Sequence, residues 1–149
     1  MDKQVFIGEA KTTYVNSQVS KAEAPQIRGS KDAHKLLLPF YEEENDREAF
    51  CVIFMNRAHK VLFIEKMFTG GITGCTVDVR LILKKALING ATSLIISHNH
   101  PSGALYPSEN DKRMTKKLHN SAKTMDITLL DHLILADDRY YSFGDEGLI

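Results

Sequence analysis

Hydrophobic and polar positions follow two different periods along the chain, and each change of period marks a helix or a strand. Residues 48–55, EAFCVIFM, are apolar on both faces and rich in β-branched and aromatic side chains, which is typical of an interior strand. The polar stretch NRAHK, residues 56–60, predicts a turn into a second strand, VLFIEKMF, residues 61–68. The two strands form a predicted β-hairpin.

A helix and a third strand are predicted next, after the loop TGGITGCT at residues 69–76. The helix is amphipathic, because its apolar residues recur at i, i+3, i+4, i+7 and i+8, and Asn89-Gly90 ends it. These apolar residues are Val79, Ile82, Leu83, Ala86 and Leu87. The short apolar run TSLIIS, residues 92–97, suits a buried strand.

A long helix that begins at Pro107-Ser108 and two final strands complete the pattern. The helix directs one set of residues towards the core, and these are predicted to be Asp111, Thr115, Leu118, Ala122 and Met125. A basic stripe on its other side, which we interpret as a solvated face rather than a DNA-binding surface, consists of Lys112, Lys116, His119 and Lys123. The strands are ITLLDHLIL, residues 127–135, and RYYSF, residues 139–143, joined by the turn ADD.

The first 29 residues lack a sustained period and predict an N-terminal arm with room for one short strand. Ser30 is a candidate N-cap for a short helix that breaks near Pro39. From there the predicted order is helix, strand, strand, helix, strand, helix, strand, strand. We therefore expect an α/β fold, a mixed β-sheet sandwiched by helices, in one domain over residues 30–149 after the arm at residues 1–29.

Composition and charge narrow the function classes. Nineteen basic and nineteen acidic residues among 149 give no net charge that would attract nucleic acid or an anionic membrane. The longest apolar run, residues 49–55, is far shorter than the roughly 20 residues of a membrane-spanning helix. The first ten residues do not have the pattern of a signal peptide, so we expect a cytoplasmic protein. Cys51 and Cys75 lack CxxC spacing, which favours reduced, structural thiols.

Candidate chemistry is concentrated in SHNHPSGALYPSEND, residues 97–111. In an extended chain His98 and His100 point to the same side and the asparagine between them points away, while Asp111 arrives from the first turn of the next helix. Two nitrogens and one oxygen suit zinc, whose catalytic sites use three protein ligands and keep a fourth position for water. Each part alone favours an ordinary explanation, namely a solvated His-x-His pair or a helix cap formed by Ser108 and Asp111. Their combined arrangement favours a metal site.

The stretch resembles the JAMM motif, also called MPN+, which reads His-x-His-Pro, a loop, then Ser-x-x-Asp, with a glutamate upstream. HNHPSGALYPSEND is similar to the form of this motif in the bacterial RadC branch. Four further segments follow the RadC pattern in order, so that the resemblance covers about residues 30–149. They are DREAFCVIFMNRAHKVLF, MFTGGITGCTVDVR, ALINGATSLIISHNHPSG and LLDHLILADDRYYSFGDEGLI. The resemblance implies a RadC-like JAB/MPN domain with a cytidine deaminase-like fold. Full-length RadC proteins also carry a helix-hairpin-helix region that this sequence does not show, so a domain standing alone is expected.

The resemblance also implies a role for each matching residue. His98, His100 and Asp111 would bind Zn²⁺, Ser108 would hydrogen-bond the oxyanion, and Glu48 would be the general acid/base. The residues alone would not single out Glu48 from the acidic run at 42–48, although it is the acid that adjoins the apolar strand. The implied activity is hydrolysis of a peptide or isopeptide bond by zinc-activated water, with a protein or peptide as substrate. Neither a membrane nor a nucleic acid is an expected partner.

Two other functions stay open at this point. One is a non-catalytic MPN-type protein-binding module, which the intact motif disfavours, and the other is a DNA-repair role suggested by the family name, which the balanced charge disfavours. Asp131 or His132, in a late strand, would suit as the hydrogen-bond partner of a zinc-binding histidine, but an ordinary strand-end pair is an equal alternative. The other histidines are expected at the surface, and they are His34, His59 and His119.

Overall fold

The structure, a computed structural model, describes residues 22–43, 46–70 and 75–149. Its elements follow one another in the predicted order. They are α1 (Ser30–Leu37), β1 (Ala49–Met55), β2 (Val61–Thr69), α2 (Val79–Ile88), β3 (Ser93–Asn99), α3 (Glu109–Thr124), β4 (Thr128–Ala136) and β5 (Arg139–Ser142). A 3₁₀ turn, Leu38–Phe40, follows α1 at Pro39, where the helix was predicted to break because proline has no backbone donor.

Five strands form a mixed sheet in the order β2-β1-β3-β4-β5. β1 and β2 make the predicted hairpin, and every neighbouring pair is antiparallel except β3 and β4, which run parallel. Parallel neighbours need a crossover connection, and the segment containing α3 provides it. The predicted α/β fold with a mixed sheet is confirmed.

Helices cover both faces of this sheet and give it two hydrophobic cores. The even-numbered residues of β1, from Phe50 to Phe54, pack with residues of α2 and α3, whereas its odd-numbered residues, from Cys51 to Met55, pack with residues of α1. All seven residues of β1 are buried, because strand alternation sends successive side chains into opposite cores. This arrangement explains why the segment is apolar on both faces.

The predicted N-terminal arm, residues 1–29, lies mostly outside the described residues. Gln26 forms an isolated antiparallel bridge with Lys60, next to the start of β2. Ile27 is only 5% exposed and belongs to the core on the α1 side of the sheet. The end of the arm therefore packs on the domain.

Two predictions for α1 are wrong, and both involve Tyr140 of β5. Gly29 rather than Ser30 is the N-cap, and the Ser30 hydroxyl instead lies 3.0 Å from the Tyr140 hydroxyl. His34 is buried rather than exposed, and its ring stacks on the Tyr140 ring with centroids 4.4 Å apart. Burial lowers the pKa of His34, against the opposing charge of Asp138. The local hydrophobic pattern of α1 does not predict this contact, because β5 lies more than a hundred residues later in the sequence.

Two apolar residues that were predicted to face the core are exposed instead. Leu87 is 56% exposed because it lies at the edge of the apolar stripe of α2, and Met125 is 47% exposed because it is the C-cap of α3. His59 is exposed as predicted, and His119 is half-buried. Both cysteines are free thiols, as predicted. Among the described residues, no helix has the length and apolar character needed to cross a bilayer.

Candidate metal centre

The C-terminal end of β3 presents two histidines to the same space. β3 extends through Asn99, and His98 is 4% exposed on the face of the sheet that α3 covers. His100 follows directly after the strand, with its Nε2 atom 2.9 Å from Nε2 of His98. The Nδ1 atom of His100 lies 2.7 Å from the Ala104 carbonyl oxygen, which can only accept a hydrogen bond. His100 therefore carries a proton on Nδ1 and, when neutral, a lone pair on Nε2.

The first turn of α3 brings a carboxylate to these two rings. Ser108 is the N-cap in a reciprocal capping box: the Asp111 N–H donates to Ser108 Oγ at 3.0 Å, and the Ser108 N–H donates to Asp111 Oδ2 at 2.8 Å. Asp111 Oδ1 lies 3.3 Å from His98 Nε2, and Asp111 Oδ2 lies 3.4 Å from His100 Nε2. The predicted helix cap and the predicted ligand set thus share the same two residues.

This donor set fits a metal ion. His98, His100 and Asp111 each offer one ligand atom, and these atoms lie within 4.8 Å of one another. The two Nε2 atoms lie 2.9 Å apart, and each lies 3.3–3.4 Å from a different oxygen of the Asp111 carboxylate, distances near the spacing of about 3.3–3.4 Å between ligands of a tetrahedral zinc with bonds of about 2.0–2.1 Å. Two imidazoles and one carboxylate also match the ligand chemistry of a catalytic zinc site with an open position. The group could therefore hold such an ion.

The electrostatics of the cluster depend on the contact between Asp111 and the two histidines. Burial alone would raise the pKa of Asp111, but the side-chain hydrogen bonds with His100 and His98 lower it well below its usual range. The same hydrogen bond raises the pKa of His100, against the effect of its burial. Without a metal, a proton shared by these side chains would stabilise the cluster.

Glu48 lies in the same cleft as the three candidate ligands. The cleft has a volume of about 700 Å³, and Glu48, Ser108, His98, His100 and Asp111 all line it. Glu48 immediately precedes β1, in which Phe50 is paired with His98, so strand alternation places Glu48 on the ligand-bearing face of the sheet. Its negative charge also contributes to the raised pKa of His100.

The neighbouring acids of the run at 42–48 do not share this position. Glu42 and Glu43 are exposed, and Asp46 is exposed and pairs with the Arg47 guanidinium at 3.3 Å. Glu44 lies outside the described residues. Among the described acids of this run, Glu48 is the one that lines the cleft with the candidate ligands.

Asn99 points to the opposite side of β3, as predicted, but its role was missed. Its Oδ1 atom accepts a hydrogen bond from the Ala49 N–H at 2.7 Å, and its Nδ2 atom donates to the Arg47 carbonyl at 3.0 Å. These are the backbone groups on either side of Glu48. The asparagine between the two histidines therefore fixes the backbone that carries the glutamate.

Asp131 and His132 point to opposite faces of β4, so the structure separates the two residues that the sequence left as alternatives. The His132 ring is fully buried, with Nε2 only 2.8 Å from His98 Nδ1. The Asp131 carboxylate instead accepts hydrogen bonds from the Ser142 hydroxyl at 2.6 Å and the Gly144 N–H at 2.8 Å. Burial lowers the pKa of His132 well below its ordinary value and raises the pKa of Asp131. Only His132 contacts a candidate ligand.

Comparison with known proteins identifies the kind of domain. A family model described as "RadC-like JAB domain" matches residues 27–148. Curated relatives named "UPF0758 protein" include one from Flavobacterium johnsoniae, 47% identical over 123 residues, and one from Porphyromonas gingivalis, 35% identical over 139 residues. The alignments cover 83% and 91% of this chain, but 53% and 61% of the two relatives. The chain thus spans between half and two thirds of the length of these relatives.

Proposed function

Since the chain belongs to the RadC-like JAB domain family, we propose that it is a zinc-dependent metallohydrolase that cleaves a peptide or isopeptide bond. His98, His100 and Asp111 are the zinc ligands in this proposal, Glu48 is the general acid/base, and Ser108 is the oxyanion donor. One observation carries it, namely the convergence of the three ligand atoms within 4.8 Å in a cleft that Glu48 and Ser108 also line.

The close approach of the ligand atoms supports a cation at this position. When both imidazoles are neutral and carry their protons on Nδ1, two nitrogen lone pairs and a carboxylate face one another at 2.9–3.4 Å. Such groups repel one another unless a proton or a metal ion lies between them. A divalent cation would satisfy all three atoms together, whereas a proton is shared by two at a time.

Bound zinc would lower the pKa of a water molecule from about 15.7 towards 7 and polarise the substrate carbonyl. Glu48 accepts the proton of the attacking water as the new carbon–oxygen bond forms. The same carboxyl then returns this proton to the nitrogen of the leaving amine as the carbon–nitrogen bond breaks. Acid/base catalysis of this kind contributes typically ~10²–10⁴-fold to the rate.

Ser108 has the chemistry of an oxyanion donor. Its hydroxyl oxygen accepts a hydrogen bond from the Asp111 N–H, and a hydroxyl that accepts one bond can still donate its own hydrogen. The residue is exposed in the cleft, and it is fixed as the N-cap of α3. In a well-studied hydrolase the loss of one oxyanion donor costs about 2.7–4 kcal/mol of transition-state stabilisation.

Metal analysis tests the ligand assignment. Protein purified without added zinc should contain close to one equivalent, and His98→Ala or Asp111→Ala should lose it. A folded wild-type protein with no affinity for zinc would contradict the catalytic proposal and would favour a non-catalytic binding module.

Glu48→Gln separates metal binding from catalysis. This variant should keep zinc and lose peptidase activity, because glutamine has nearly the same shape but cannot accept the proton. Glu43→Gln is the matched control, since Glu43 is exposed in the same acidic run and should leave activity unchanged. Wild-type activity in Glu48→Gln would refute the acid/base assignment. The inactive, zinc-loaded variant is also the reagent of choice for trapping an unknown protein substrate.

A further inference from the structure

A chain of buried hydrogen bonds connects two of the candidate ligands through residues that the proposed reaction does not use. The Thr115 hydroxyl donates to the Asp111 carbonyl oxygen at 2.6 Å. The Thr115 hydroxyl oxygen also lies 2.6 Å from His132 Nδ1, and His132 Nε2 lies 2.8 Å from His98 Nδ1. His132 is fully buried and Thr115 is 3% exposed. The chain runs from the backbone of one ligand to the ring of another.

The direction of each hydrogen bond follows from the donors available. A carbonyl oxygen can only accept, so the single hydroxyl hydrogen of Thr115 is used on Asp111. Thr115 Oγ1 must then accept from His132, which places a proton on His132 Nδ1. In a neutral His132 the Nε2 atom carries a lone pair, so the remaining bond is donated by His98 Nδ1–H.

The opposite direction of that last bond would require a positively charged His132. The described hydrogen-bond partners of its ring nitrogens are a hydroxyl and an imidazole, and the Phe143 ring stacks on it with centroids 4.5 Å apart. None of these groups carries a negative charge. A buried cation without a charged partner is strongly unfavourable, so the neutral ring is the state that this environment supports.

We propose that Thr115 and His132 are positioning residues that hold His98 with its proton on Nδ1 and its Nε2 lone pair directed at the metal. The inference rests on the proposed zinc site. His100 reaches the same state through its own bond to the Ala104 carbonyl, so both histidines present Nε2. Partners of this kind fix the orientation of a ligating imidazole and raise its basicity.

The fold explains why these particular residues meet. Thr115 lies four positions after Asp111 on α3, so one helical turn places both on the same face. In the parallel pairing of β3 with β4, Ile96 is the partner of His132, so His132 shares a sheet face with His98. One helix therefore supplies the carboxylate ligand and, one turn later, the hydroxyl that orients the histidine ligand through His132.

Zinc affinity provides the first test, measured by competition with a chromophoric chelator. Thr115→Val removes the hydroxyl at nearly constant shape and should weaken zinc binding about 10-fold, because contacts of this type contribute about 10–100-fold to metal affinity. Thr115→Ser restores the hydroxyl and should restore the wild-type value. His132→Leu, which removes the acceptor itself, should weaken zinc binding about 100-fold.

Thr92→Val is the matched control for Thr115→Val. The Thr92 hydroxyl oxygen is buried and has no hydrogen-bond partner among the described residues. Thr92→Val makes the same atomic change as Thr115→Val, but away from the hydrogen bonds that connect Asp111, Thr115, His132 and His98, which we call the relay. It should therefore leave zinc affinity unchanged. Equal weakening in Thr92→Val and Thr115→Val would overturn the proposal.

The tautomers themselves can be read from long-range proton–nitrogen NMR spectra of zinc-loaded protein with ¹⁵N-labelled histidine. The proposal requires protonated Nδ1 and unprotonated Nε2 in both His98 and His132, and a protonated His132 Nε2 would refute it. If the wild type binds no zinc, the proposed function and the relay both fail. If the wild type binds zinc and the Thr115 and His132 variants bind it equally well, the relay alone fails.

Discussion

Replacement of Asn99 by alanine tests whether the residue between the two histidines holds the backbone around Glu48. Asn99 is 5% exposed, and its Oδ1 atom accepts a hydrogen bond of 2.7 Å from the N–H of Ala49, which is fully buried. A buried donor left without an acceptor costs about 1–3 kcal/mol. The carbonyl that Asn99 also bonds belongs to the exposed Arg47 and can be hydrated, so its loss costs little. We expect Asn99→Ala to lower the free energy of unfolding by about 2 kcal/mol.

Urea unfolding of the metal-free protein measures this loss. The chain has no tryptophan, so circular dichroism is the suitable signal. With an m-value of about 2 kcal/mol/M, a loss of about 2 kcal/mol shifts the midpoint by about 1 M. Asn120→Ala is the control, because Asn120 is exposed and such changes stay within about 0.5 kcal/mol. If the Asn99 variant were as stable as this control, the asparagine would not support the Glu48 segment.

Three further predictions concern pH, metal removal and the opposite face of the sheet. Because the pKa of His100 is raised, protons should compete with zinc for its Nε2 atom already above pH 6.5. The zinc dissociation constant, measured from pH 8 to 6, should therefore increase as the pH falls, and a constant value would contradict this. In chelator-treated protein the raised pKa of His100 contributes stability that is fully present below the unfolded-state pKa and lost as pH rises through the folded-state pKa, whereas the lowered pKa values of His34 and His132 act in the opposite sense. The melting temperature of the wild type relative to His100→Gln should therefore fall over that range, and zinc should raise the wild-type value again; a difference without pH dependence would count against the shared proton. Tyr41→Phe should cost about 1–3 kcal/mol in urea unfolding, because it removes the buried hydrogen bonds of the Tyr41 hydroxyl with the Cys51 N–H at 3.2 Å and the Ser97 hydroxyl at 2.8 Å, and an unchanged midpoint would show that these bonds are dispensable.

Local periodicity was sufficient for the strands and helices because each buries a face that the sequence displays. The two-sided apolar run of β1 and the stripe of α2 both correspond to residues that contact the cores. Ser30 and His34 were misjudged because their environment is set by Tyr140 of β5, which is distant in sequence. Helix and strand assignment therefore succeeded where burial is a property of one segment.

Part of the candidate site could also be predicted from local spacing, and part could not. His98, His100 and Asp111 could be proposed as a group because spacing within one strand, one turn and one helix brings them together. The choice between Asp131 and His132 depends on the pairing of β4 with β3, which includes a register shift between Leu94 and Ile95. Periodicity within one strand cannot reveal such a shift, so the partner of His98 was identifiable only from the tertiary structure.

The three candidate ligands lie within fourteen consecutive residues, whereas Glu48 is fifty positions before His98. Joining the ends of so short a segment costs little loop-closure entropy, so a metal can cross-link this β3-loop-α3 unit early in folding. The proposed acid/base, Glu48, reaches the ligands only when β1 pairs with β3, a contact between distant parts of the chain that forms more slowly. The proposed metal site is thus encoded within one short segment, whereas the proposed reaction depends on a contact between distant segments.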